Sequence, residues 1–167
     1  NKTSQKIESF PVDINQSDDV KKTFKKIIDK YGELDVCLFN SGIYFRGNDK
    51  EIDIETIRKT METNYFGTIN CVNAVVDYFK LRKSGHIVIV GSIAGYRGLP
   101  SLAGYGASKA ALINFTESLY QVMHRYNVKV SLINPGFIKT PMTDVNDFTM
   151  PFIMKPDKAA NVIYKEI

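Results

Sequence analysis

Residues 86–109 read HIVIVGSIAGYRGLPSLAGYGASK. The first five, 86–90, are an apolar run with no polar alternation, the pattern of a strand buried on both faces. Gly91 to Leu102 is a loop rich in glycine, serine and proline, and a helical pattern then runs from about Ala103 to Arg125. Asn127 marks the turn out of that helix. A buried strand feeding a long helix through a small-residue loop is a β-α step, and such strands belong to sheets covered by helices on both sides.

The same alternation extends outward. Downstream, residues 128–133 (VKVSLI) read as a strand broken by Asn134-Pro135-Gly136. A loop from Phe137 to Lys155 follows, and Pro156-Asp157 starts a last helix, with proline at an early, tolerated position. Upstream, Ile57, Met61, Phe66, Ile69, Val72, Val76 and Phe79 recur at helical spacing between Ile54 and about Arg82, and Ser84-Gly85 ends the pattern. Residues 35–39 (DVCLF) predict a strand buried on both faces, broken by Asn40-Ser41-Gly42 and followed by a polar, irregular connection over 43–52. Ser17-Asp18-Asp19 opens another helix, carried by Val20, Phe24, Ile27, Ile28 and Tyr31 and stopped by Gly32. Residues 7–14 (IESFPVDI) read as a short strand with its exit. The order β-α-β-α-β-α-β-loop-α predicts an α/β fold with a doubly wound, parallel sheet. Ligands of such sheets bind beyond the carboxyl ends of the strands. Asp13, Asn40-Ser41-Gly42, Gly91-Ser92 and Asn134-Pro135-Gly136 all sit at strand exits and are expected to form one binding edge.

Composition narrows the function classes. The 167 residues are 44% apolar and 24% charged, the balance of one soluble globular domain. No apolar run approaches the roughly 18 residues of a membrane span. The net charge of +4 is modest, and Lys21, Lys22, Lys25 and Lys26 have the spacing of a solvated helix face. Neither nucleic acid nor a membrane is expected as a partner. Cys37 and Cys71 read as two buried thiols, which suits a reducing cytoplasm. His86 and His124 have no ligand spacing, so no metal site is expected.

Tyr105 and Lys109 stand four residues apart on the helix, so phenol and ammonium share a face. A free tyrosine has a pKa of about 10. A neighbouring cation favours the phenolate, which would tune the group for general acid/base work near neutrality. Alone, Tyr-x-x-x-Lys is a weak signal in a chain with nine tyrosines. Other single readings also stand open. Ser92 can satisfy a loop backbone group, Asn64 can be an ordinary polar helix residue, Asp13 a turn former and Thr140 a helix cap.

The combination is more specific. Ser92 lies thirteen residues before Tyr105, and together with Tyr105-Gly-Ala-Ser-Lys109 it resembles the short-chain dehydrogenase/reductase family. Phe39-Asn40-Ser41-Gly42 is similar to the family's N-N-A-G turn, with Ser41 in place of alanine. Asn64, in Asn64-Tyr65-Phe66-Gly67, matches the family's catalytic asparagine. Asp13 matches the aspartate at the adenine ring, and Pro135-Gly136-Phe137-Ile138-Lys139-Thr140 matches the P-G-x-x-x-T segment beside the nicotinamide. The resemblance implies a single Rossmann-type domain over residues 1–167 using NAD or NADP. Tyr105 would be the general acid/base. Lys109 would lower its pKa and hold the ribose hydroxyls, and Ser92 would polarise the substrate oxygen. Asn64 would disturb its helix and bind a water linking Lys109 to solvent. Asp13, Asn40, Ser41, Gly42, Tyr105, Lys109, Pro135, Gly136, Ile138 and Thr140 would line the cofactor site. The segment after Thr140, with Met142, Met150, Met154, Phe148 and Phe152, would form an apolar substrate lid.

The glycine-rich pyrophosphate loop of the family has no counterpart in the sequence. Neither have its first two strands or its last, and the first residue is not a methionine. The expectation is a domain incomplete at both ends, with about 50–60 further residues upstream. As it stands, such a chain is not expected to bind the dinucleotide properly alone. The implied reaction is hydride transfer between NAD(P)(H) and a secondary alcohol or ketone. A dinucleotide-binding sensor or scaffold without turnover, and an epimerase or dehydratase on the same fold, are the alternatives. The helices at 54–82 and 103–125 correspond to those of the family's common dimer interface, so a homodimer or homotetramer is expected.

Overall fold

The chain turns from helix towards strand at Gly32, Gly85 and Asn127, with φ of 84°, 132° and 57°. Gly85 is required twice over. Its φ is strained for any other residue, and a Cβ there would lie 2.2 Å from the Phe79 ring. The computed structural model describes residues 7–47 and 52–167.

The helices are α1 (Ser17–Tyr31), α2 (Ile54–Met61), α3 (Gly67–Arg82), α4 (Ala103–Met123) and α5 (Pro156–Glu166), and the strands are β1 (Val36–Phe39), β2 (His86–Val90) and β3 (Lys129–Ile133). The strands form a parallel sheet in the order β1-β2-β3. His86 stands opposite Val36 on one side and Lys129 on the other. All five residues of β2 are buried, as its unbroken apolar run requires of a central strand.

The core lies between one face of the sheet and α3 and α4. Val75 and Phe79 from α3, Ile87 and Ile89 from β2, and Leu112 and Met123 from α4 are essentially inaccessible to water. Each such side chain contributes about 1.5–3 kcal/mol by burial. The α3 end of this layer is anchored by Arg82, which pairs with Glu33 at 2.9 Å and Asp35 at 2.7 Å and donates to the Leu34 carbonyl. Cys37 and Cys71 are buried and free, and burial pushes their thiols up to about 12 and about 11. On α1, Lys22 and Lys25 are exposed and pair with Asp19 and Asp29 of the same helix.

Two features differ from expectation, and a third is a disturbed helix where the resemblance implied one, at Asn64. Residues 7–13 form no strand. A strand needs a hydrogen-bonded neighbour, and no described residue offers one to this segment. Instead Glu8 docks on the end of α1, pairing with Lys30 at 2.5 Å and accepting from the Tyr31 hydroxyl. Second, β1 is buried on one face only, with Val36 and Leu38 each 47% exposed. Its apolar run signals two coverable faces, and among the described residues only one is covered. Third, the long helical pattern over 54–82 is broken by a wide turn of π-helix, Glu62–Phe66, between α2 and α3.

Candidate active site

The exits of β1, β2 and β3 open on one edge, as the topology demands. Ser92 follows β2 in extended backbone and caps a short turn, Ile93–Gly95, its Oγ accepting from Ala94 N at 3.2 Å. Its hydroxyl proton is thereby free to be donated elsewhere. The turn lies directly against α4. A Cβ on Gly95 would stand 2.8 Å from Ala110 N and from the Lys109 carbonyl carbon. Only a residue without a side chain permits that approach.

Tyr105 and Lys109 project from the face of α4 that meets this turn. Ser92 and Tyr105 share a hydrogen bond through their side chains. Burial raises the phenol above its ordinary range, the Ser92 bond lowers it, and neighbouring Tyr44 raises it. The net direction is upward, opposite to the lowering expected from Lys109. Burial is the larger effect, and Lys109 is engaged elsewhere. The Lys109 ammonium lies 5.7 Å from the ring centroid and donates to the Val90 carbonyl at 2.9 Å. Lys109 is itself buried, and that burial brings its pKa down to about 8. Among the described residues no carboxylate pairs with it. Two of its three N–H donors are therefore available to a ligand.

Asn64 sits at the centre of the π-helical turn and is completely buried. Its Oδ1 accepts from Ile43 N at 2.7 Å, and its Nδ2 donates to Ile43 O at 2.9 Å and to Ser108 Oγ at 3.1 Å. Ser108 in turn donates to Tyr105 O at 2.8 Å. Asn64 thus joins the loop after β1 to α4. Both amide hydrogens are used, so one Oδ1 lone pair is what its side chain keeps for a water. Gly42 lies over this pair; a Cβ there would be 3.3 Å from Asn64 Oδ1 and 3.8 Å from Lys109 Nζ.

Two clefts meet at these groups. The larger, about 780 Å³, is bordered by Asn40, Ser41, Gly42, Tyr105, Lys109, Pro135, Gly136, Ile138 and Thr140, with Leu38 and α5 behind them. These are the expected cofactor residues with one exception. Asp13 does not border the cleft; it accepts from Asn15 N at 2.9 Å and its carbonyl accepts from Gln16 N, an ordinary turn. A second cavity of about 590 Å³ lies under the segment after β3. Ser92, Tyr105 and Gly136 border both, so the phenol stands on the partition. The larger cleft fits the sugar and ring end of a nicotinamide dinucleotide. It offers an unpaired buried cation for sugar hydroxyls and a bare Gly42 surface for close approach.

Several members of the site carried no signal in the motif pattern. Tyr44 packs edge-on against Tyr105, with centroids 5.2 Å apart and planes at 87°. Its hydroxyl donates to Asn146 Oδ1 at 2.9 Å. Arg46 pairs with Asp147 at 2.5 Å. The loop after β1 is thus fastened to the segment after β3. That segment leaves and returns through a short parallel bridge between Ile138 and Met154. Phe137 and Phe148 meet edge-on beneath it at 5.8 Å, and Phe152 is fully exposed.

A family model described as short chain dehydrogenase matches residues 1–149. An uncharacterized oxidoreductase of Myxococcus xanthus is 35% identical over 161 residues, 96% of this chain and 64% of that protein. A 3-ketodihydrosphingosine reductase of Bacteroides thetaiotaomicron is 33% identical over 139 residues, 83% of this chain and 52% of that protein. Among solved structures, ElxO with NADP bound superposes with a TM-score of 0.87 at 27% identity, covering 95% of this chain and 70% of ElxO. NAD+-bound xylitol dehydrogenase gives 0.74 at 27% identity over 79% of this chain and 51% of its own. The chain belongs to the short-chain dehydrogenase family, and its α/β architecture is the Rossmann-type one of these neighbours. It spans between about half and two thirds of the length of the two curated relatives.

Proposed function

We propose that this protein is an NAD(P)-dependent oxidoreductase interconverting a secondary alcohol and a ketone, with Tyr105 as its general acid/base. The observation that carries this reading is the place of Tyr105 and Ser92 on the partition between two clefts, with Lys109 buried behind them. The bound nicotinamide supplies or removes hydride at the substrate carbon. In reduction the Tyr105 hydroxyl gives its proton to the substrate oxygen; in oxidation the phenolate takes it back. Ser92 has a hydrogen to donate and can bond the same oxygen, polarising the carbonyl. Lys109 holds the sugar hydroxyls with its two free donors. Asn64 acts as a positioning residue, fixing the Gly42–Ile43 turn that borders the cofactor cleft.

Nicotinamide absorbance over a panel of ketones and alcohols tests the reaction. In the full-length protein Tyr105→Phe is expected to abolish turnover while nucleotide still binds, and retained activity in that variant overturns the mechanism. The domain is proposed to act as a homodimer or homotetramer. Exposed Phe66, Tyr120 and Val122 along the π turn and α4 support association there; sedentation as a monomer at micromolar concentration would refute it. The free, buried thiols support a cytoplasmic setting.

A further inference from the structure

The cavity of about 590 Å³ beside Tyr105 is of a size to enclose a small organic molecule. Its apolar walls come chiefly from two segments. Leu99 and Leu102 precede α4, and Phe137, Met142, Phe148 and Pro151 belong to the segment after β3. Arg46 is the one charged side chain among its described lining residues, and it is paired with Asp147. Tyr44 and Asn146 bond each other, and Thr143 Oγ1 donates within its own turn, to the Ile138 and Thr140 carbonyls. The hydroxyls of Ser92 and Tyr105 stand together at the end shared with the other cleft. The cavity therefore offers polar recognition at the reacting oxygen and hydrocarbon contact along its body. A charged substituent placed along that hydrocarbon body loses its water, and Arg46, the one charged lining group, already has Asp147 as its partner.

We infer that the substrate is a neutral ketone, or the matching alcohol, whose body is a hydrocarbon group of several carbons lying between Leu99 and Phe148. This rests on the oxidoreductase reading above.

The test uses the full-length protein, a series of methyl ketones from four to ten carbons and 4-oxo carboxylates of matching length, with NADH and NADPH. The kcat/KM is expected to rise about three- to tenfold per methylene until the cavity is filled. The oxo carboxylates should fall about a hundredfold or more below ketones of equal length. Leu99→Lys places a cation on the exposed rim of the wall and should narrow or reverse that gap. In protein without nucleotide, 2-octanone should raise the melting temperature more than 2-butanone does, and Leu99→Lys should remove the difference. A flat chain-length dependence with turnover intact, or a preference for the oxo carboxylates, overturns this inference alone. No turnover of any ketone or alcohol with either nucleotide overturns the oxidoreductase reading and this inference with it.

Discussion

The side-chain amide of Asn64 closes a two-way hydrogen bond onto the backbone of Ile43, accepting at 2.7 Å and donating at 2.9 Å. The asparagine does for the loop after β1 what a neighbouring strand does for a strand. The π-helical turn around Asn64 is what swings the amide inward. Asn64→Ala leaves both Ile43 groups and Ser108 without this partner. A loss of about 2–4 kcal/mol of unfolding free energy is expected, since each buried group left unmade costs about 1–3 kcal/mol. Urea denaturation reads it; a loss below about 0.5 kcal/mol would show that water replaces the amide without penalty.

Lys109 gives a pH signature. An unfolded lysine keeps its proton to about pH 10.4, whereas burial brings Lys109 down to about 8. The folded pKa lies below the unfolded one, so the charged form opposes folding. That penalty is full below pH 8 and fades as pH rises to 10.4. Relative to Lys109→Met, the nucleotide-free parent should therefore gain about 2–4 kcal/mol between pH 7 and pH 10.4. Chemical denaturation of both proteins across that range measures the change, and parallel curves would mean that Lys109 is well solvated.

Tyr44 has two separable parts. Its hydroxyl holds Asn146, and its ring holds the edge of Tyr105. Tyr44→Phe removes the first alone and should raise KM about three- to tenfold with kcat little changed, the effect of one ordinary hydrogen bond. Tyr44→Ala removes both and should lower kcat as well. Equal effects of the two variants on kcat would show that the ring contact does not position the phenol.

Gly95→Ala forces a methyl group to within 2.8 Å of the α4 backbone. Overpacking of this kind costs about 1–3 kcal/mol, or a fall of about 2–12 °C in melting temperature for a domain of this size. Activity should fall further than the stability loss explains, because Ser92 is displaced from Tyr105. Unchanged melting and turnover would mean that the turn is free to shift.

Much of this was legible in the residues. β2, β3, α4 and α5 follow from local apolar patterning and from glycine, proline and asparagine at their ends, signals that need no distant partner to be read. Residues 7–14 misled for a physical reason. Their pattern is that of a strand, but pairing is settled by distant neighbours, and Glu8 found Lys30 and Tyr31 instead. The π turn leaves no trace in a 3.6-residue period; the motif resemblance at Asn64, which implied a disturbed helix, was its one sign. The motif residues around Tyr105 were readable because chemistry fixes their spacing. Tyr44 and Asn146 were not, because 102 residues separate them and their hydrogen bond demands no particular neighbours in sequence. Asp13 lies in a turn, accepting from Asn15 N, and stands apart from the cleft that the other motif residues border.

The backbone contact at Gly95 has a further consequence. Because the turn after Ser92 rests on α4 too closely to admit a side chain at Gly95, serine, tyrosine and lysine travel as one block. The loop that roofs the smaller cavity is instead held by side chains from outside that block, Tyr44 and Arg46. On the proposed function, chemistry and selectivity are thus carried by parts that meet chiefly at Tyr44. Mutational drift in the roof can recruit new compounds without retuning the proton transfer, which makes residues 141–153 the natural target for directed evolution.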